Sequence, residues 1–262
     1  MEVTKILNEY YRSYDEDNRL RSRHGSVEFL TTMRYAEKYL QPGMRVLEIG
    51  AATGRYSHTL ARRGYRVDAV ELVQHNIDIF KANTLSGEDV RIYQGNAKNL
   101  DMLGDNTYDV TLLLGPMYHL FTVPEQLEAL SEAIRVTKKG GVVFAAYCGN
   151  EATMVQYCFG RGMIKEQRYR DLIDPVTFKA SSDPAELFQL YRKEDIDRLM
   201  SVFPVTRLHY VGTDMATNYM RQTIDEMDDE LFDLYLRYHF SICERSDLVG
   251  ASHHILDIFR KD

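Results

Sequence analysis

The chain has no tryptophan among its 262 residues and only three cysteines, Cys148, Cys158 and Cys243. The cysteines are scattered and form no CxxC pair, which excludes a disulfide scaffold and a four-cysteine zinc site and fits a reducing compartment. No window approaches the run of about 20 apolar residues that a membrane span needs. The start, MEVTKILNEYYRSYDED, lacks an apolar stretch behind a basic one, so no secretory signal is read there. Proline numbers only six and no low-complexity tract or internal repeat occurs. Basic charge is also in deficit: 32 Lys and Arg against 39 Asp and Glu give a net charge of −7. A net anionic surface disfavours non-specific contact with phosphate backbones or anionic lipid, although a local basic patch can still exist. These deficits describe a globular protein expected in the cytoplasm, of a size at the upper edge of what one core serves.

What is present is an alternation of short apolar runs with helix-period segments. Strands are expected at Met44–Ile49, Arg66–Glu71, Val90–Tyr93, Tyr108–Leu114 and Val142–Tyr147. Helices are expected between them at 54–63, at 73–83, and after Thr122, which forms a capping box with Glu125 and leads a helix that Gly140-Gly141 ends. Short strands alternating with helices imply a parallel sheet covered on both faces. Strands buried on both sides lose their two-residue alternation, as the fourth and fifth do. Beyond residue 150 the rhythm changes. Residues 151–180 are mixed, and Asp183-Pro184-Ala185-Glu186 carries helix-start signals for a segment running to about Val202. Val205–Gly212 reads as strand, 217–245 as mostly helix, and His254–Phe259 as a last strand.

Chemistry concentrates in Val46-Leu47-Glu48-Ile49-Gly50-Ala51-Ala52-Thr53-Gly54. A glycine-bearing turn between a first strand and a helix lets backbone approach a ligand and aims the helix N-terminus at it. The glycine spacing is not the G-x-G-x-x-G of dinucleotide sites. It resembles instead the E/D-x-G-x-G-x-G motif of class I S-adenosylmethionine (SAM) dependent methyltransferases, with Ala52 in the place of the middle glycine. Three further features follow in the order that family shows: Glu71 ending the second strand, Gly95-Asn96-Ala97 after the third, and Leu114-Gly115-Pro116-Met117-Tyr118-His119 after the fourth.

The resemblance implies a doubly wound, Rossmann-like, mostly parallel seven-stranded α/β sheet with an antiparallel last strand, plus helical lid segments. It implies SAM as cofactor, held by Glu48, Gly50, Ala51, Ala52, Gly54, Glu71, Leu72, Asn96, Ala97 and Leu114. Glu71 would accept the ribose hydroxyls, and Asn96 the adenine amino group. His119 is the expected general base, because a histidine's useful pKa lies near neutrality, and Tyr118 is expected to line the methyl channel. Gly115 and Met117 depart from the D/N-P-P-Y motif of amine methyltransferases, which argues against that chemistry. No metal is expected.

Residues 10–24 hold three tyrosines and four arginines. Tyr10, Tyr14, Arg19, Arg23 and His24 are expected in a lid over cofactor or substrate, where tyrosine covers apolar groups and arginine binds carboxylate. One domain is expected: 1–40 as N-terminal helical lid, 41–150 as cofactor core, 151–204 as helical insertion, and 205–262 as terminal strands with an intervening helix. The leading expectation is methyl transfer to a small molecule of unidentified structure. The alternatives are an RNA-modifying methyltransferase, for which the arginine clusters speak and the net charge does not, and a non-catalytic SAM-binding sensor or assembly protein.

Overall fold

A computed structural model describes residues 2–14, 16–183 and 188–262. Three helices come first: α1 (Glu2–Ser13), α2 (Glu16–Arg19) and α3 (Arg23–Ala36). Then β1 (Arg45–Ile49), α4 (Arg55–Arg62), β2 (Arg66–Glu71), α5 (Gln74–Asn83) and β3 (Val90–Gln94) alternate. β4 (Tyr108–Leu113), α6 (Val123–Val136) and β5 (Thr137–Gly149) complete the repeating part. Residues 150–200 carry α7 (Asn150–Thr153), a π-helical turn at Met154–Phe159, α8 (Gln167–Arg170), the two-residue β6 (Leu190–Tyr191) and α9 (Lys193–Met200). The chain ends with β7 (Val205–Gly212), α10 (Arg221–Asp225), α11 (Asp229–Ile242) and β8 (His254–Lys261).

The strands form one sheet in the order β3-β2-β1-β4-β5-β8-β7, with β6 beside the end of β5. Only β8 runs against its neighbours: it pairs antiparallel with β5 and with β7. The seven-stranded expectation is met, and β6 adds a short eighth strand. Neighbouring residues of β1 point to opposite faces. Val46 packs with Met33, Leu60, Val110 and Phe144 on one side, and Leu47 with Leu113, Leu130, Val143 and Tyr147 on the other. Helices α3 and α4 cover the first face, and α6 and α9 the second. The strand order reverses between β1 and β4, and in such sheets the crevice at the carboxyl ends of those strands is where ligands bind.

Two elements differ from their sequence reading. The helix after Thr122 ends at Val136 rather than at Gly140-Gly141. Thr137 turns the chain directly into β5, its Oγ1 donating to Ala133 O at 2.6 Å. The glycines lie inside the strand, where its register with β4 slips between Tyr108 and Val110. Gly140 has φ +78°, and a Cβ on Gly141 would lie 2.8 Å from Asp109 O, so this irregularity needs residues without side chains. The helix expected from Asp183 to about Val202 falls partly on 184–187, outside the described residues; beyond them Leu190–Tyr191 is instead strand β6, paired parallel with Cys148–Gly149, and helix runs only over Lys193–Met200.

Candidate active site

The side expected to hold the cofactor is built on the turn after β1. Gly50 and Ala51 both donate their N–H to Val70 O, at 2.8 and 3.1 Å, which bends the chain away from the sheet. Gly50 has φ +80°, and a Cβ there would sit 2.5 Å from Pro116 Cδ and 2.9 Å from Leu114 O. The glycine is required because the loop after β4 presses against it. Ala52 also adopts a left-handed backbone, with φ +46°. The turn thus keeps a glycine-like conformation at a residue that resists it. Gly54, at φ +93°, has a different duty: a Cβ there would meet the His58 ring and Phe80 at 2.6 Å. It permits helix packing and does not line the cavity.

Two buried carboxyls anchor this turn. Glu71 accepts from Ala52 N at 2.9 Å and from Val73 N at 2.8 Å, so it ties the glycine turn to the start of α5. Burial raises its pKa against the pull of those donors. Glu48 accepts from the Ser57 N–H at 2.9 Å and from the Ser57 hydroxyl. Its burial pushes the carboxyl up to about 8. Farther along the edge, Gly95 N donates to Glu71 O at 3.0 Å, and Asn96 Oδ1 accepts from Lys98 N at 3.0 Å. Leu114 N donates to Ile49 O at 3.1 Å. Glu48, Gly50, Ala51, Ala52, Glu71, Leu72, Asn96, Ala97 and Leu114 all line one cavity of about 1100 Å³.

The opposite wall is aromatic. Pro116–His119 forms one 3-10 turn, and His119 Nε2 lies 3.2 Å from the Tyr11 hydroxyl of α1. Tyr118 packs near Phe188 and, at 5.9 Å between ring centroids, His254. Burial lifts the phenols of Tyr11 and Tyr118 well above their ordinary value, so both are neutral hydroxyls. Tyr10 and Tyr14 stack at 5.1 Å and also line the cavity. The N-terminal arginines are less available than their residue type suggests. Arg19 reaches the cavity, but its Nε donates to Glu16 at 2.8 Å and its Nη1 to Glu28 at 2.8 Å. Arg23 pairs with Asp229 and faces α11 rather than the cavity. His24 lines the cavity while its Nδ1 lies 2.6 Å from Asp225 Oδ2.

Sequence reasoning missed the charge chain below this wall. Glu28 lies between Arg19 and His254, whose Nδ1 is 3.3 Å from Glu28 Oε2 and 2.8 Å from Asp214 Oδ2. Asp214 Oδ1 further accepts from Ser252 Oγ and from the N–H groups of His253 and His254. Against burial, the two carboxylates hold His254 well above its ordinary value, so it is an imidazolium. Also against burial, His254 holds Asp214 well below the usual carboxylate range, and Arg19 with His254 lowers Glu28. His253 goes the other way: burial and the neighbouring imidazolium lower it to about 4. The ligand-type atoms of Asp214, His253 and His254 lie within 4.8 Å of one another. A proton already provides the positive charge between the carboxylates at His254. No local pattern marks these residues, because four different segments bring them together.

Comparison with known proteins agrees with this geometry. A family described as "Methyltransferase domain" matches residues 46–141. Two curated relatives are named ubiquinone biosynthesis O-methyltransferase. The one from Hahella chejuensis is 23% identical over 87% of this chain and 95% of its own length. The one from Pseudomonas entomophila is 25% identical over 86% and 97%. Among solved structures, a SAM-dependent methyltransferase of Methanosarcina mazei has a TM-score of 0.57 at 14% identity, covering 87% of this chain and 96% of that one. Another, from Thermotoga maritima, has a TM-score of 0.57 at 19% identity, covering 100% and 99%. The protein is a methyltransferase, with a methyltransferase domain over residues 46–141 and the fold of its solved neighbours. Its cofactor is S-adenosylmethionine.

Proposed function

We propose that the protein transfers the methyl group of SAM to an oxygen of a small hydroxylated molecule, with His119 as the general base. The observation that carries this reading is one continuous cavity. The glycine turn, Glu71 and Asn96 line one part of it, and Tyr118, His119 and Tyr11 line another. Its volume of about 1100 Å³ exceeds what one small ligand usually occupies, roughly 300–1,000 Å³, and leaves room for an acceptor beside a cofactor.

The residues fit the cofactor's chemistry. Glu71 would meet the ribose, Asn96 the adenine amino group, and the backbone of Gly50–Ala52 and Leu114 the amino-acid end. When bound, SAM supplies a methyl group already activated by its sulfonium. The chain's own work is therefore orientation, exclusion of water and removal of one proton. Tyr118, neutral and buried, presents an apolar ring with a hydroxyl tip beside that edge. His119, on the same turn, can accept the acceptor's proton. Its contact with Tyr11 ties the base to the covering helix α1. Described residues of segments 1–40 and 151–250 line the cavity beside these groups and would set the acceptor's identity.

Oxygen is favoured over RNA or amine acceptors by the relatives' O-methyltransferase names and by the missing D/N-P-P-Y motif. The basic residues weighed for RNA are largely engaged: Arg19 and Arg21 with carboxylates, Arg168 with Glu166, and Arg170 with backbone carbonyls. No helix among the described residues is long and apolar enough to cross a membrane. The three free, buried thiols fit the cytoplasm, where they would stay reduced. Methyl-tritiated SAM offered with a metabolite extract and with total RNA tests the reading. Label should enter the extract. Label in RNA alone, or none despite SAM binding, overturns it.

A further inference from the structure

Beyond Tyr118 the cavity continues along a row of rings. Tyr118 lies 5.9 Å from His254, His254 4.9 Å from His253, and His253 5.5 Å from Tyr157. At the far end two arginines meet on one tyrosine. Arg221, heading α10, donates its Nη2 to the Tyr157 hydroxyl at 3.2 Å and its Nε to Asn218 Oδ1. Arg161 lies over the Tyr157 ring, 4.5 Å from its centroid. Tyr157, Arg161 and Arg221 all line the cavity.

Among the described residues no carboxylate pairs with either arginine; their partners are neutral. Arg55, over the Phe29 ring, also lines the cavity, and none of the described carboxylates pairs with it, but it stands alone, and the other cations near it are paired. Arg19 is held by two glutamates, Lys98 by Glu125, and His254 by Glu28 and Asp214. Two guanidinium groups gathered on one side chain repel each other unless an anion joins them. Guanidinium is also the side chain best shaped to grip a carboxylate or phosphate through paired hydrogen bonds. On the adjacent wall His253 is neutral, and the His254 imidazolium is already balanced by Glu28 and Asp214. His253 Nδ1 is moreover buried without a hydrogen-bond partner, a polar atom that a ligand could satisfy.

We propose that Arg161, Arg221 and Tyr157 form an anion subsite for the methyl acceptor. The acceptor is then an elongated molecule with a flat, apolar body along the ring row. It carries a carboxylate or phosphate at the end remote from the methylated atom. This inference rests on the small-molecule methyltransferase reading above and names its substrate class.

The full-length chain, saturated with S-adenosylhomocysteine, is titrated calorimetrically with three probes: 4-hydroxycinnamate, 4-hydroxyphenyl phosphate and the uncharged methyl 4-hydroxycinnamate. The acid, the phosphate or both should bind at least about ten-fold tighter than the ester, as expected for a charge-assisted bidentate contact; which of them does so identifies the anion. The double variant R161Q/R221Q should lose that preference while keeping its affinity for SAM, which also shows that it is folded. Equal binding of all three probes, binding of none, a preference that survives in the variant, or a variant that loses SAM instead each overturns the subsite. None of these outcomes removes SAM binding from the parent protein. Failure of the parent to bind SAM would instead sink the functional reading itself.

Discussion

Ala52 is the residue where sequence and geometry disagree most. By sequence it is a methyl group in a position that usually holds glycine, a steric question between backbone and cofactor. In the structure the matter is conformational, because φ is +46° and an L-residue with a Cβ is strained there. Its N–H is also the donor to Glu71, so the turn cannot relax without releasing that carboxylate. Ala52→Gly should therefore raise stability by about 1 kcal/mol, the usual left-handed penalty less glycine's entropy. Thermal denaturation checks this: Tm should rise, and a fall would mean that the strain is absent. His119 carries the second residue-level prediction. His119→Ala should lower kcat about 100-fold or more, the lower range for loss of a general base, while SAM affinity stays nearly constant. A matching fall in SAM affinity would instead make it part of the cofactor site.

At the scale of elements, the N-terminal segment divides in two. Helix α1 brings Tyr10 and Tyr11 to the cavity, with Tyr14 just past its end, whereas α2 and α3 bring Arg19 and Glu28 to the part-buried charge chain. The division was hidden in the sequence, where all these residues read as one lid. Removing residues 2–13 should spare the Arg19–Glu28 pair, leave folding intact, and cut turnover about ten-fold or more through loss of the cover. Removing residues 2–24 should also strip Glu28 of its arginine. The pair is part-buried and Glu28 keeps His254, so its loss costs less than the roughly 3–5 kcal/mol of a fully buried pair broken from one side, and that truncation should melt lower than the first. Parallel assays of turnover and Tm on the two truncations separate cover from support; equal Tm values would refute the division.

For the whole molecule, the buried titratable groups set a pH range of stability. His254 is held above its ordinary 6.5, so its contribution is complete below pH 6.5 and is lost as pH rises through its folded value. Glu48 is raised from 4.5 to about 8, so the folded state holds a proton that the unfolded chain releases, and stability falls across that interval. Asp214 and Glu28 are lowered from 3.8 and 4.5, so their contributions are present above those values and lost on acidification. Buried His253 and His239, lowered from 6.5 to about 4, add stability as pH rises to 6.5, so together these groups place maximum stability at about pH 6.5, declining towards pH 8. A Tm–pH profile tests this, and Glu48→Gln should flatten its alkaline side. A profile that rises from pH 6 to 8 would contradict the assignment.

The sequence by itself determined the strands, their alternation with helices and the turn and strand-end residues proposed for the cofactor. Those features depend on local signals: apolar runs bounded by glycine, helix caps, and carboxyl or amide residues just past strand ends. Glu71, Asn96 and the Gly50 turn were legible because each lies within a few residues of the strand that positions it. The helix end at Val136 was not legible, since Gly140-Gly141 could be assigned to a strand only by its pairing with β4. Only the tertiary structure decided which charges are available. Arg19 and Arg23 looked free and are paired across the fold, while Arg161 and Arg221, from segments 60 residues apart, meet on Tyr157 with no carboxylate among the described residues. Pairing between charges depends on distances that chain order does not encode, and on that pairing the proposed acceptor subsite rests.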